Sequence, residues 1–286
     1  MKRYLLTLAA IALALGSAQA KKYADIKGRV TDTAGKPIAG AVVSNGIDCT
    51  ATAADGTYSF DGTRDVRHVF VSTPSGWLPE MKDVTIPVYY IAYNEDAPAA
   101  SYDFKLRRNP VDDTHHTVFA QADAQVTSES DLRKLIPMMA DMDEYASVNC
   151  AGRDVFAVDL GDIVGDSPWL YPASVEVNKG FKRPIYRVIG NHDMTYGGRT
   201  FEKSFTNFEN QFGPVCYSFN KGKAHYIVLD NCFYVNRDYQ YIGYIDERTF
   251  RWLEQDLSYV PEDNVIFVMM HIPTSSTPKL KYNTLI

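Results

Sequence analysis

The residues with the clearest chemical capacity in this sequence of 286 residues are Asn191, His192 and Asp193, which directly follow Gly190. The preceding run, 185–189, is largely apolar and has the composition of a buried strand. An amide, an imidazole and a carboxylate in succession have no packing use, and at the end of a buried strand they point into the crevice where open α/β sheets bind ligands. The alternative is an ordinary Gly-Asn turn, in which His192 and Asp193 are turn residues without a chemical role.

Three further apolar runs end in residues of the same kind. Asp123 and Gln125 follow the run 117–122, Asp162 follows 155–160, and His271 follows 265–270. Carboxylates, amide oxygens and imidazoles are ligands for divalent ions such as Mn, Fe, Zn or Mg, so the four strand ends together predict one metal site. The alternative is that these residues are helix caps and turn residues of four separate corners.

The elements that must position these residues alternate between strands and helices from residue 114 onward. Ser128 is a predicted N-cap for a helix that Pro137 should kink or break. Further expectations are a helix-containing excursion over the site at 167–182, a helix at 201–212, a hairpin of 215–219 with 225–230, a helix at 246–260 and a strand at 265–270.

The stretch from 24 to 107 differs from the rest of the chain, because it has short alternating apolar runs between turn clusters and no helical period. This spacing predicts a small antiparallel β-sandwich. The segment 107–113 is polar, contains Pro110 and has no period, so we interpret it as a linker.

Residues 1–20 have the organisation of a signal peptide: Lys2 and Arg3, an apolar run, and a small-residue cleavage site ending at Ala20. We expect export to the periplasm or the medium and no stable membrane insertion, because the apolar run is shorter than the roughly 20 residues of a membrane span. Removal of Lys2 and Arg3 takes the formal net charge from -6 to -8, which argues against a nucleic-acid partner. The four scattered cysteines indicate neither a zinc ribbon nor a disulfide scaffold, and the oligomeric state stays open.

Two sequence resemblances extend these inferences. The pattern G-R-V-T-D-x-x-G-K-P-I-A-G-A-V-V-S at 28–44, with D-G-T-Y-S-F at 55–60, resembles the carboxypeptidase-regulatory-like domains of exported bacterial proteins. It implies an Ig-like β-sandwich over 21–108, with a spacing or docking role. Residues 117–273 resemble the calcineurin-like metallophosphoesterases, whose ordered motifs are D-x-H, G-D-x-x-x-D, G-N-H-D/E and a lone histidine after an apolar strand.

The second resemblance implies an α+β fold of αββα type over 114–286, in which a two-sheet sandwich is flanked by helices. It also implies the site residues: Asp123 as a ligand of a first metal, Asp162 as the carboxylate bridging two metals, Asn191 and His271 as ligands of the second, and His192 facing the scissile bond. The implied reaction is hydrolysis of a phosphate ester or diphosphate in a small phosphorylated substrate.

The physical chemistry of such a site is consistent with that assignment. Two divalent ions about 3.5 to 4 Å apart repel unless an anion lies between them, and they acidify a bridging water so that the hydroxide attacks phosphorus. His192, held by Asp193, is suited to protonate the leaving oxygen, which makes both residues catalytic candidates. Asp166 is expected to orient the loop of Asp162 rather than bind metal.

Two departures from the family pattern matter. Gln125 stands where most of the family has histidine, which favours Mn or Mg. No G-H-x-H motif follows His271, so we expect a C-terminally truncated domain with weak or no activity. One rival is therefore a catalytically impaired binding protein. The other is a haloacid-dehalogenase-like phosphatase, which is disfavoured because its second aspartate is Gln125 here.

Overall fold

The computed structural model describes residues 23–195, 197, 200–236 and 240–274, together with the backbone of 284–285. The predicted signal peptide, residues 1–20, lies outside these ranges, so its cleavage after Ala20 stays a prediction. Within the described ranges, no helix combines the length and the apolar character that crossing a bilayer requires.

The first part of the chain, residues 23–108, is built from strands alone. Two four-stranded sheets form, with the orders β4-β1-β10-β6 and β3-β2-β5-β9, and a short β7-β8 ribbon accompanies them. The β1–β10 pair is parallel, unlike the antiparallel pairing that the sequence predicts. The arrangement is compatible with a sandwich. The strands are β1 Ile26–Asp32, β2 Val42–Ser44, β3 Cys49–Ala51, β4 Thr57–Phe60, β5 His68–Ser72, β6 Trp77–Leu78, β7 Glu80–Met81, β8 Pro87–Val88, β9 Tyr90–Ala92 and β10 Phe104–Arg108.

The second part of the chain mixes strands and helices, as the sequence predicts. Three sheets form there, with the orders β11-β12-β13, β14-β15-β18 and β16-β17-β19. The elements are β11 His116–Gln121, α1 Glu129–Asn149, β12 Asp154–Asp159, α2 Tyr171–Asn178, β13 Ile185–Arg187, α3 Thr206–Phe212, β14 Tyr217–Lys221, β15 Ala224–Val228, β16 Cys232–Asn236, β17 Gln240–Tyr244, α4 Glu247–Leu257, β18 Val265–Met269 and β19 Thr284–Leu285.

The β11-β12-β13 sheet places the candidate ligands at one edge. Its strands are parallel, with Gln121 opposite Asp159 and Asp159 opposite Arg187 at their carboxyl ends. The loops that carry the candidate residues leave from this edge. Because the ends are in register, residues that are about 30 to 70 positions apart in sequence meet in space.

Aromatic side chains fill the space between this sheet and the β14-β15-β18 sheet. The rings of Tyr186 and Phe219 stack at 3.8 Å between centroids, and Phe219 and Tyr226 stack at 4.9 Å. On the opposite face of the first sheet, Met139 and Ala146 of α1 pack with Ala157. The sheet is therefore buried on both faces, which explains why β12 reads as a nearly continuous apolar run.

Helix α1 runs unbroken from Glu129 to Asn149, so the predicted break at Pro137 is wrong. Ser128 caps it as predicted, because its side chain accepts a hydrogen bond from the Asp131 amide. Pro137 lies on the exposed side of the helix. Water can satisfy the carbonyl that a proline leaves free there, while Leu132 and Met139 hold the other side against the sheet.

Residues of the first part cover one flank of the second part. The Ile185 amide of β13 donates to the Thr85 carbonyl at 3.0 Å, and the Asn220 amide of β14 donates to the Thr73 carbonyl at 2.9 Å. One buried apolar cluster contains residues of both parts, including Phe70 and Trp252. The proposed boundaries, 21–108 and 114–286, stay a prediction.

Strand β18 lies at the edge of its sheet opposite β14, and its side chains are far more exposed than those of β14 and β15. Val265, Ile266, Phe267 and Val268 are 57%, 40%, 45% and 46% exposed. Within the described residues, the first part of the chain therefore covers the edge strands β13 and β14, whereas the edge strand β18 is left uncovered.

Candidate metal centre

Asp123, Asp162 and His271 converge on one point at the carboxyl edge of the sheets. Each offers one ligand atom, and these atoms all lie within 4.8 Å of one another. The three residues follow β11, β12 and β18, as the sequence predicts. Two carboxylates and an imidazole are a donor set for a first-row divalent ion, so the residues present fit a metal.

The loops after β11 and β12 are joined by backbone hydrogen bonds. The Asp123 amide donates to the Gly161 carbonyl at 3.0 Å, and the Gln125 amide donates to the Asp162 carbonyl at 2.7 Å. Asp123, Gln125 and Asp162 adopt left-handed backbone conformations, with φ of 57°, 41° and 55°. Such conformations cost roughly 1 to 3 kcal/mol each and concentrate at functional sites.

Two glycines make the close approach of these loops possible. A Cβ at Gly190 would lie 2.1 Å from the Asp162 nitrogen and 2.2 Å from Asp162 Oδ1. Gly161 has φ of 99°, and a Cβ there would lie 2.8 Å from His271 Nδ1. The glycine before Asn191 is therefore required by packing against the Asp162 loop, in addition to any turn preference.

His271 is oriented by its backbone surroundings. Its Nδ1 donates to the Leu160 carbonyl at 2.9 Å, so Nε2 faces the cluster, 3.2 Å from Asn191 Oδ1 and 3.4 Å from Asp162 Oδ2. This is the usual arrangement of a metal-binding histidine, whose second ring nitrogen is fixed by a carbonyl or carboxylate. Burial alone lowers the pKa of His271, but hydrogen bonding and the charge of Asp162 raise it to about 9.

Asp162 lies at the centre of the cluster and is almost fully buried. Its Oδ1 accepts the His192 amide at 2.8 Å, and its Oδ2 accepts Gln125 Nε2 at 2.9 Å. Burial would raise the pKa of Asp162, but His271 and the His192 amide lower it below the ordinary value. The carboxylate is therefore held ionised and in contact with groups from three strand ends, which suits a bridging ligand.

The 3₁₀ turn Asn191–Asp193 sends its three side chains in different directions. Asn191 is buried and faces His271, whereas His192 lies at the surface with 36% of its side chain exposed. His192 Nδ1 is 3.1 Å from Asp166 Oδ1, and the Asp166 amide donates to the His192 carbonyl at 3.1 Å. Asp166 therefore accompanies His192, a pairing that the sequence interpretation missed although Asp166 belongs to the G-D-x-x-x-D motif.

Asp193 does not hold the ring of His192, so that expectation is wrong. Its carboxylate is buried and accepts the amides of Gly190 at 2.9 Å and of Ile163 and Val164 at 3.2 Å, and the Tyr171 hydroxyl at 3.1 Å. Burial raises the pKa of Asp193 to about 7. Asp193 thus ties the turn to the loop after β12, and within the described contacts it does not reach the surface where His192 lies.

Beneath the cluster lies a row of polar residues that the sequence interpretation also missed. Gln121 Nε2 donates to Asp159 Oδ2 at 2.9 Å, and Arg187 is the register partner of Asp159 on the next strand. Burial raises the pKa of Asp159 to about 6. The signal in the sequence was a polar residue near the end of each apolar run, at 121, 159 and 187, which are the last positions of β11, β12 and β13.

Comparison with known proteins identifies only the first part of the chain. Residues 24–109 match the family model described as the N terminal of Calcineurin-like phosphoesterase. No curated protein matches the chain significantly. The matched region corresponds to the all-strand part and ends before Asp123, so it supports a metallophosphoesterase without including any candidate ligand. That family generally binds divalent metals, and the Asp123-Asp162-His271 cluster is one possible site for such an ion.

Proposed function

We propose that this protein is a metal-dependent phosphoric ester hydrolase of the calcineurin-like type. The observation that carries the proposal is the convergence of Asp123, Asp162 and His271 at the edge of two sheets. The family match at 24–109 supports it independently, because it rests on a different part of the chain. We also propose that this part is an Ig-like domain of the carboxypeptidase-regulatory-like type, which the family match does not address.

Two divalent ions are proposed for the centre, Mn, Fe, Zn or Mg, with Asp162 between them. Asp123 and Gln125 would share one ion with Asp162, and Asn191 and His271 would share the other. When bound, such ions activate the attacking water and stabilise charge on the phosphoryl oxygens. Asp162 neutralises part of the positive charge that the site gathers, and Leu160 keeps His271 in the tautomer that ligation needs.

His192 is proposed to protonate the leaving oxygen. It is the histidine of the site whose ring is substantially exposed, so it can reach a substrate that lies over the cluster. Asp166 Oδ1 lies 3.1 Å from Nδ1, so Nε2 is the ring nitrogen left to face a substrate. Asp193 has no proposed part in proton transfer, because its contacts are to backbone amides and to Tyr171.

The turn that follows Asp166 is proposed to contact the leaving group. Trp169 lies in the 3₁₀ turn Pro168–Leu170 and is 71% exposed. It is three residues after Asp166, which keeps its Cα within about 11 Å of the Asp166 Cα. An exposed indole at that distance offers a flat apolar surface for the organic part of a small phosphorylated substrate.

Export to the periplasm or the medium is part of the proposal, on the strength of the signal peptide predicted at 1–20. Residue 20 is the proposed cleavage position. The proposed partners are limited to the substrate and the metal ions.

The test is to purify the protein, load it separately with Mn, Fe, Zn and Mg, and measure bound metal and hydrolysis of an aryl phosphate monoester and an aryl phosphodiester. We expect metal binding that depends on Asp162, so Asp162→Asn should lose bound metal. Asp141→Asn is the matched control, because Asp141 is an exposed carboxylate of α1.

Three outcomes distinguish an active hydrolase from a catalytically impaired binding protein and test the proposed site. Metal-dependent hydrolysis that is lost in Asp162→Asn supports the hydrolase. Metal bound through Asp162 without turnover of any phosphate ester favours the catalytically impaired binding protein. Hydrolysis that survives in Asp162→Asn overturns the proposed site.

A further inference from the structure

The residues that end β11, β12 and β13 form a polar row, which we call the strand-end row: Gln121, Asp159 and Arg187. Gln121 is the register partner of Asp159, and Asp159 is the register partner of Arg187. Asp159 is 1% exposed and Arg187 is 4% exposed. Burying charged groups costs free energy unless they are fully paired, so apolar packing does not account for the row.

The strand-end row is only partly paired. Four of its polar atoms have no hydrogen-bond partner among the described residues, namely Gln121 Oε1, Asp159 Oδ1, and Nε and Nη2 of Arg187. The Arg187 guanidinium donates instead to backbone carbonyls, that of Ile185 at 3.0 Å and that of Thr85 at 3.4 Å. Partly paired buried groups are a poor way to stabilise a fold, and such departures from good packing occur mostly at functional sites.

The complete contact of the row joins Gln121 to the end of β12. Gln121 Nε2 donates to Asp159 Oδ2 at 2.9 Å. The Gln121 carbonyl accepts the amide of Leu160, the next residue, at 2.7 Å. Gln121 therefore holds two consecutive residues of the neighbouring strand end, one through its side chain and one through its backbone.

Leu160 carries this restraint to the metal cluster. Its carbonyl accepts a hydrogen bond from Nδ1 of the His271 ring at 2.9 Å. The next residue, Gly161, packs against the same ring, because a Cβ there would lie 2.8 Å from His271 Nδ1. A rotation of the peptide between Leu160 and Gly161 would therefore move the acceptor that directs His271 Nε2 into the cluster.

Backbone hydrogen bonds hold the same segment from two other directions. The Asp159 carbonyl accepts the Val188 amide at 2.8 Å, and the Gly161 carbonyl accepts the Asp123 amide at 3.0 Å. Backbone bonds of this kind are available to any sequence. The bond between Gln121 and Asp159 is the contribution of side chains to the arrangement, so it is the part that the sequence specifies.

We propose that Gln121 and Asp159 are positioning residues of the metal centre. Their hydrogen bond fixes the Leu160 carbonyl, which keeps Nε2 of His271 directed at the cluster. Neither residue belongs to the cluster itself, so both act through His271. The inference rests on the proposed metal-dependent function, because it concerns a ligand of that centre.

The experiment follows the Nδ1 proton of His271 by NMR in the metal-free full chain labelled with ¹⁵N-histidine, with His271→Ala to assign the signal. A proton bonded to a fixed carbonyl is protected from exchange with water. Gln121→Met keeps the length of the side chain but removes its donor, and should speed exchange of this proton by about tenfold. In the same variant, Zn affinity measured by chelator competition should fall by about tenfold or more.

A double variant tests whether the hydrogen bond itself matters. Gln121→Glu combined with Asp159→Asn exchanges donor and acceptor across the pair and keeps their total charge. It should bring the exchange rate and the Zn affinity back to within about threefold of the parent.

Two controls separate positioning from a general loss of stability. Gln240→Met replaces an exposed glutamine of β17 and should leave both measurements unchanged. Val30→Ala opens a cavity in β1, where Val30 is 0% exposed. It should lower Tm while the His271 proton stays protected.

The proposal is overturned if the His271 proton exchanges too fast to be seen in the parent, or if Gln121→Met changes neither exchange nor Zn affinity. It is also overturned if the double variant is no closer to the parent than Gln121→Met, or if Val30→Ala speeds exchange as much at an equal loss of Tm. Absence of metal binding in every protein would contradict the proposed function. The exchange measurement needs no metal, so it still decides the positioning role.

Discussion

Asp166 Oδ1 lies 3.1 Å from Nδ1 of the His192 ring, and the Asp166 amide donates to the His192 carbonyl at the same distance. The loop after β12 therefore reaches the Asn191–Asp193 turn at both the side chain and the backbone of one histidine. Asp162, four residues earlier, accepts the His192 amide. The residue proposed to donate a proton is thus positioned by the same loop that supplies the central carboxylate.

The first prediction concerns His192 as an acid. In an active metal-loaded protein, His192→Ala should lower kcat about 10² to 10⁴-fold for an alkyl phosphate. The effect should be much smaller for an aryl phosphate, whose leaving oxygen needs little protonation. Asp166→Asn should act in the same direction but by about tenfold, because it removes only the orientation of the ring. An equal loss on both substrates would contradict the role in proton transfer.

The second prediction concerns His271 as a ligand. His271→Ala should weaken Mn or Zn binding by about tenfold or more, measured by competition with a coloured chelator. His115→Ala, an exposed histidine before β11, is the matched control and should bind metal as the parent does. Unchanged affinity in His271→Ala would remove this residue from the site.

The third prediction concerns Gly190. Gly190→Ala should lower the free energy of unfolding by about 2 to 4 kcal/mol, because the new Cβ collides with the backbone of Asp162 and the loop must shift. Thermal denaturation and metal content should both report the damage. Gly197→Ala is the control, since a Cβ there meets no described residue within 4 Å. Similar melting temperatures for the two variants would show that the loops approach less closely than described.

The fourth prediction concerns pH. The folded-state pKa of Asp230 is about 7, above its ordinary value of 3.8, so the folded state holds a proton that the unfolded state releases. Its stabilising contribution is present below about pH 4 and is lost as the pH rises to about 7. Urea denaturation across that range should show a shallower fall in Asp230→Asn than in the parent. Asp141→Asn, at an exposed position, should keep the parent's slope.

The position of the Asp123-Asp162-His271 cluster could be predicted from sequence, because it depends on a local pattern. An apolar run followed by a ligand-type residue marks a strand end, and parallel strands bring their carboxyl ends together. The cap at Ser128 was predictable for the same local reason. The meeting of Asp123, Asp162 and His271 required only that these strands share an edge.

The roles of neighbouring residues could not be predicted in the same way. Asp193 adjoins His192 in sequence, but the 3₁₀ turn directs its side chain inward to the Gly190 and Ile163 amides. The unbroken helix across Pro137 depends on packing of its opposite side. The contacts of Thr85 and Thr73 with β13 and β14 join residues about 100 or more positions apart, and no local pattern records them.

Those last contacts also bear on the order in which the chain is made. Residues 23–108 are synthesised before β13 and β14, and the earlier part of a growing chain generally folds first. The Thr85 and Thr73 carbonyls would then already be in position when the Ile185 and Asn220 amides, their hydrogen-bond donors, are synthesised. The leading segment would serve as a template against which the trailing sheets assemble, so placing it at the other terminus should slow folding even though every contact is preserved.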